Sequence, residues 1–149
     1  MITDSAFSMV VGKSAKTKKQ FLKATEQSLY TGIEKVKDGV RVGDISAAIQ
    51  RVLDQHNLGI VRELVGHGVG HEVHEDPNIP NYGMVGKGPL LKAGMTIAIE
   101  PMSTLGGYRV KMDSDGGTIR TIDGSLSAHF EHTVLITRNG YEILTAWEN

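Results

Sequence analysis

Side chains able to bind metal or move protons crowd into three short segments of this sequence. The first is Gly66-His67-Gly68-Val69-Gly70-His71-Glu72-Val73-His74-Glu75-Asp76-Pro77. The second is Ile97-Ala98-Ile99-Glu100-Pro101-Met102, and the third Ser127-Ala128-His129-Phe130-Glu131-His132-Thr133. Glu100 ends a run of otherwise apolar residues, where a carboxylate needs a partner or an ion to be tolerated. Glu131 lies inside an expected strand that continues as Thr133-Val134-Leu135-Ile136. His67 is flanked by glycines, which let a backbone turn tightly and approach a ligand closely. One imidazole with several carboxylates suits a hard or borderline divalent ion rather than a thiophilic one. Taken singly, each of these groups is more often a surface histidine or a salt-bridged carboxylate, so the weight falls on their joint occurrence.

Two motifs fail on spacing. His71-Glu72-Val73-His74 is one residue short of the H-E-x-x-H helix of zinc peptidases, and glycines precede it where a helix should continue. Gly86-Lys87-Gly88 lacks the upstream glycine, Asn81 standing there, and the Ser or Thr of a phosphate loop.

The elements that must position these residues follow from periodicity. Residues 2–11 read as a strand with Ile2, Asp4, Ala6, Ser8 and Val10 on one face, so Asp4 shares a side with small or apolar neighbours. Ser14 is placed to cap a helix running to about Lys37, with Leu22, Leu29, Ile33 and Val36 as its stripe and Asp38-Gly39 as its stop. In a second helix, Ile45, Ala48, Ile49, Val52 and Leu53 fall at i, i+3, i+4, i+7 and i+8, with Asp44 as N-cap and Gly59 beyond the end. After residue 60, IVRELV, MTIAIEPM, GGTIRTI, HFEHTVLIT and YEILT read as strands, with Arg138-Asn139-Gly140 turning a hairpin between the last two. A strand, two helices and a run of mostly antiparallel strands make an α+β domain.

Composition narrows the function classes. With 149 residues, 40% hydrophobic, the chain suits one compact domain. Sixteen basic against seventeen acidic residues leave a charge of −1, so no global field draws the chain to nucleic acid or an anionic membrane. The lysines at 13, 16, 18, 19 and 23 read better as a solvated helix face than as a ribosome or nucleic-acid contact. With no cysteine, disulfides and thiolate metal sites are excluded. The apolar runs are too short to span a bilayer, and the charge at Lys13 to Lys23 stands where a signal peptide needs its apolar core. The expected compartment is the cytoplasm.

GHGVGHEVHEDPNIPNYG, then LKAGMTIAIEPM, then SLSAHFEHTVLIT closely resembles the type I methionine aminopeptidases. Their pattern is G-H-G-[IV]-G, H-E-x-P, G-M-x-x-x-I-E-P and E-H-T, and the likeness runs through essentially the whole chain. It implies the pita-bread fold, here its C-terminal portion, with a curved antiparallel sheet and two helices. It implies removal of the initiator methionine from nascent polypeptide N-termini, with the ribosome as a possible neighbour. By the same resemblance Asp4 and Glu131 are bridging metal ligands, and His67 and Glu100 complete one metal site. Glu100 also serves as the catalytic base, and His74 hydrogen-bonds the substrate. The cofactors implied are divalent ions (Co, Mn, Fe or Zn), two per complete site.

The departures are specific. The family's second metal takes another Asp eleven positions before Asp4, and a second substrate-contacting histidine comes from an N-terminal half-domain; both would fall before Met1. The chain is therefore expected to be part of a catalytic domain, with its second ion held only by Asp4 and Glu131. Gly117 stands where the family has a pocket Trp, and Val73 where a bulky residue often precedes His74. The competing expectation is a non-catalytic pita-bread module that binds peptides or ribosomes.

Overall fold

A computed structural model describes residues 1–146. Helices α1 (Lys16–Ile33) and α2 (Val42–Gln55) come first. Ten strands follow: β1 (Gly59–Ile60), β2 (Gly66–Gly68), β3 (Glu75–Ile79), β4 (Thr96–Ile99), β5 (Met102–Thr104), β6 (Val110–Met112), β7 (Ile119–Thr121), β8 (Ser127–His129), β9 (His132–Thr137) and β10 (Gly140–Ile143). They form an antiparallel five-stranded sheet ordered β10-β9-β4-β2-β3, a three-stranded sheet β1-β5-β8 and a β6-β7 ribbon. The α+β expectation holds, as does the hairpin at Arg138-Asn139-Gly140.

The apolar stripe of α2 behaves as its spacing demands. Ile45, Ile49 and Leu53 are fully buried and pack with Leu29 and Ile33 of α1 and with Ile97, Ile99, Val134 and Ile136 of the sheet. Each such side chain contributes about 1.5–3 kcal/mol by leaving water. Gly32 lets the helices close: a Cβ there would stand 2.7 Å from Ile49 Cγ1.

The helix ends differ from expectation. α2 begins before Asp44, because the loop at 84–89 supplies acceptors for its first amides: Val42 N donates to Pro89 O and Gly43 N to Lys87 O. Asp44 is therefore the third helical residue, and its Oδ2 accepts from Arg41 N at 3.0 Å, the reciprocal half of a capping box. Asn57, at φ +53°, makes the left-handed exit, two residues before Gly59 enters β1. Ser14 does not cap α1. Ala15 is the N-cap, and Ser14 Oγ donates only to Ala15 O. α1 stops at Ile33 rather than Lys37, the chain closing into i→i+3 bonds from Lys35 N to Gly32 O and Val36 N to Ile33 O.

Residues 2–11 are extended but are not a strand. Asp4, Ala6, Ser8 and Val10 are half-buried while their odd-numbered neighbours are exposed, which is the expected period of two; Ile2 alone departs from that face, being exposed. Only Ala6 forms a bridge, to Glu131. On either side of it, hydroxyls replace ladder bonds. Thr133 Oγ1 accepts from Asp4 N and donates to Asp4 O, both at 2.8 Å. Ser8 Oγ donates to His129 O and accepts from His129 N. Pairs 4–133, 6–131 and 8–129 keep one antiparallel register. Of IVRELV only Ile60 is in a strand, whereas β2, β3 and β6 arise where no strand is expected from sequence.

Candidate metal centre

Two faces of the large sheet divide the work. Ile97 and Ile99 of β4, with Val134 and Ile136 of β9, face the helices. His67 pairs with Ala98, and Ala98 with Thr133, so these three point to the opposite face. Period two carries Glu100 and Glu131 to that side as well. His132, by contrast, joins the helix side: Tyr30 Oη lies 3.1 Å from its Nε2 and Thr145 Oγ1 3.0 Å from its Nδ1, and burial holds its imidazole below the usual pKa. His132 is structural.

Glycines bring β2 close enough to place His67. A Cβ at Gly66 would collide with the carbonyl oxygen of Ala98, and one at Gly68 with that of Asp76. The need is for close approach between strands, not for a left-handed backbone. His67 is buried, and its Nδ1 sits 2.9 Å from Gly68 O. A carbonyl can only accept, so Nδ1 carries a proton, and in the neutral tautomer this bond selects it is Nε2 that offers a lone pair to a metal. That Nε2 is 3.6 Å from Glu100 Oε1.

Glu100 sits in the break between β4 and β5, its carbonyl held by Asn81 Nδ2 at 3.0 Å. Ligand-capable atoms of Asp4, His67 and Glu131 lie within 4.8 Å of one another, as do those of Glu100, His129 and Glu131. Glu131 is 3% exposed, and its Oε1 has no hydrogen-bond partner among the described residues. Burial above all, then the charges of Glu100 and Asp4, push its carboxyl up to about 7, against the opposing pull of His129. An orphaned carboxylate oxygen amid like charges and an imidazole lone pair is an environment that a divalent cation fits. The four residues expected as ligands are thus brought together, and His129 of the third segment, which the expected ligand set leaves out, stands beside them. Its signal was the His-x-Glu alternation with Glu131, which puts both on one face.

His74 is exposed, and its ring centroid lies 4.2 Å from that of His67 with the planes tilted by 52°. Glu75 steadies the loop that carries it, accepting from His71 N at 2.6 Å and Glu72 N at 2.7 Å, and these bonds lower its pKa. A cleft of about 680 Å³ opens here, lined by His67, His74, Glu100, His129, Glu63 and Met102. Val73 is exposed, and Gly117 lies in the β6–β7 turn with open space around a notional Cβ and outside the cleft lining.

Comparison with known proteins agrees with this geometry. The profile of metallopeptidase family M24 matches residues 1–138. Methionine aminopeptidase 1 of Bacillus subtilis is 49% identical over 142 residues, covering 95% of this chain and 57% of the relative. The crystal structure of methionine aminopeptidase from Thermotoga maritima superposes with a TM-score of 0.94 at 48% identity, over 97% of this chain and 58% of that one. The prolidase of Pyrococcus horikoshii follows at 0.74 and 26% identity, over 99% and 37%. The chain thus spans under three fifths of the length of the methionine aminopeptidases it matches. The pita-bread expectation holds. Among the described residues no helix is long and apolar enough to cross a membrane. With the match running through residues 1–138 and the fold following that of the solved enzymes, the chain belongs to metallopeptidase family M24.

Proposed function

We propose that this chain supplies the metal-binding part of an aminopeptidase that removes the initiator methionine from nascent polypeptides. The observation that carries the reading is the convergence of Asp4, His67 and Glu131, with Glu100 3.6 Å from His67, beside an open cleft. The likeness to methionine aminopeptidases supplies the substrate class. The cytoplasm, where new chains emerge near ribosomes, is the compartment this reading implies.

Asp4, His67, Glu100 and Glu131 would hold divalent ions, two in a complete site, and mixed oxygen and nitrogen donors suit Mn²⁺, Fe²⁺, Co²⁺ or Zn²⁺. Such ions supply Lewis acidity and lower the pKa of water toward neutrality. The Glu100 carboxylate would take the attacking water's proton and hand it to the leaving amine. His74, exposed in the cleft, would donate a hydrogen bond to the scissile carbonyl oxygen as charge develops there. A donor so placed is worth about 3–4 kcal/mol in the transition state. Glu75 would serve this step indirectly, by fixing the loop that carries His74.

The test is to load the full chain with Mn²⁺ or Co²⁺ and offer Met-Ala-Ser, Leu-Ala-Ser and X-Pro peptides. Release of methionine from the first supports the proposal. Metal binding with no hydrolysis of any peptide favours the non-catalytic module that binds peptides or ribosomes, and cleavage only before proline favours a prolidase-like activity.

A further inference from the structure

The face that gathers the expected ligands presents one more. His129 ends β8, and its backbone is pinned on both sides by Ser8, whose Oγ accepts from His129 N at 2.9 Å and donates to His129 O at 3.0 Å. Although the side chain is 37% exposed, its Nε2 is buried, 3.3 Å from Glu100 Oε2 and 3.9 Å from Glu131 Oε2. Among the described residues that nitrogen makes no hydrogen bond, so the 3.3 Å approach is not that of a donor aligned on a carboxylate. Glu131 Oε1, on a residue 3% exposed, is also without a partner.

The two trios share Glu131, and Glu100 turns Oε1 toward His67 and Oε2 toward His129. Ligand atoms about 2.1 Å from one ion stand about 3.0–3.5 Å apart at octahedral or tetrahedral angles. The His129–Glu100 separation already lies in that range, and His129–Glu131 needs only a few tenths of an ångström of closure. We propose that His129 is a terminal imidazole ligand of a second cation position, formed with Glu100 and Glu131. The inference rests on the reading of this cluster as a divalent metal centre. It replaces the expectation that a second ion here has only Asp4 and Glu131. A second imidazole also shifts the preference toward borderline first-row ions and away from Mg²⁺ and Ca²⁺.

The experiment uses the full metal-free chain, MnCl₂ titrated by calorimetry, and pulsed-EPR nitrogen couplings of the loaded protein, which report coordinated imidazoles. Wild type should show two imidazole couplings. His129→Gln keeps a hydrogen-bonding side chain of similar reach but is a poor ligand. It should lose one coupling and weaken at least one binding step by about tenfold or more. His71→Gln, at an exposed position, should match wild type, and far-UV circular dichroism checks that each variant is folded. A single coupling in wild type overturns the proposal without recourse to any variant. So does a folded His129→Gln chain with both couplings and an affinity within twofold. In either case the metal centre itself stands, whereas a wild-type chain that binds no Mn²⁺ overturns the centre and His129 together.

Discussion

Replacing Glu131 with Gln sets two properties of the site against each other. With its folded pKa near 7, raised chiefly by burial and then by Glu100 and Asp4, Glu131 binds a proton more tightly in the folded chain than in the unfolded one. For a raised carboxyl the linkage runs opposite to the usual acidic case. Its contribution is most favourable below the unfolded value of about 4.5, declines as pH rises toward 7, and is lost above that. Each pKa unit is about 1.4 kcal/mol, so the ionised side chain costs the metal-free fold about 3 kcal/mol at pH 8. Gln has the same shape and no charge. In chelator, urea unfolding should find Glu131→Gln about 2–3 kcal/mol more stable than wild type at pH 8, and nearly equal at pH 4.5. Mn²⁺ at a thousand times its dissociation constant should reverse the order, because it adds about 4.1 kcal/mol to wild type alone. Equal stability at pH 8 in chelator, or the same difference at both pH values, would refute the electrostatic reasoning.

Three further outcomes are expected. Thr133→Val leaves Asp4 N and Asp4 O without their hydroxyl partner, and calorimetry should register about a tenfold loss of metal affinity with little change in circular dichroism. Gly68→Ala drives a methyl group into Asp76 O, so thermal unfolding should show a loss of about 2–4 kcal/mol and metal binding should weaken as His67 shifts. Gly117→Trp adds its ring to a turn outside the cleft lining, so the preference for Met over Leu, read as the ratio of kcat/KM values, should stay within about twofold. A methylene of discrimination is worth about 1–3 kcal/mol, and a ratio changed by about tenfold or more would show that the turn reaches the substrate.

What the sequence made legible divides by physical cause. The stripe of α2 is set by local geometry and reads directly. Asp4, His67, Glu100 and Glu131 read through their chemical type in segments that otherwise favour burial. The pairing of residues 4–8 did not, because it runs through Thr133 and Ser8 hydroxyls, which strand propensity does not register. β2 did not either: two of its three residues are glycines, chosen for close approach to β3 and β4 against their own propensity. The start of α2 depends on neighbours distant in sequence, with Pro89 and Lys87 supplying what a local cap would have.

The spacing of the charged groups separates a metal centre from an ordinary buried ion-pair network. In a network, imidazolium and carboxylate settle into charge-assisted hydrogen bonds of about 2.7–2.9 Å, since only such contacts offset the cost of burying both charges. Here the closest imidazole-to-carboxylate approaches are 3.3, 3.6 and 3.9 Å. Those distances are too long for that bonding, and burial first, then the charges of Glu100 and Asp4, raise Glu131. Nor can the pairs simply collapse. His67 is held by Gly68 O, His129 by Ser8, Glu100 by Asn81 and Asp4 by Thr133, each through bonds that fix the backbone or the ring. Groups kept apart at roughly the edge length of a coordination polyhedron, and stiffened from behind, lower their mutual repulsion most when a cation lies between them.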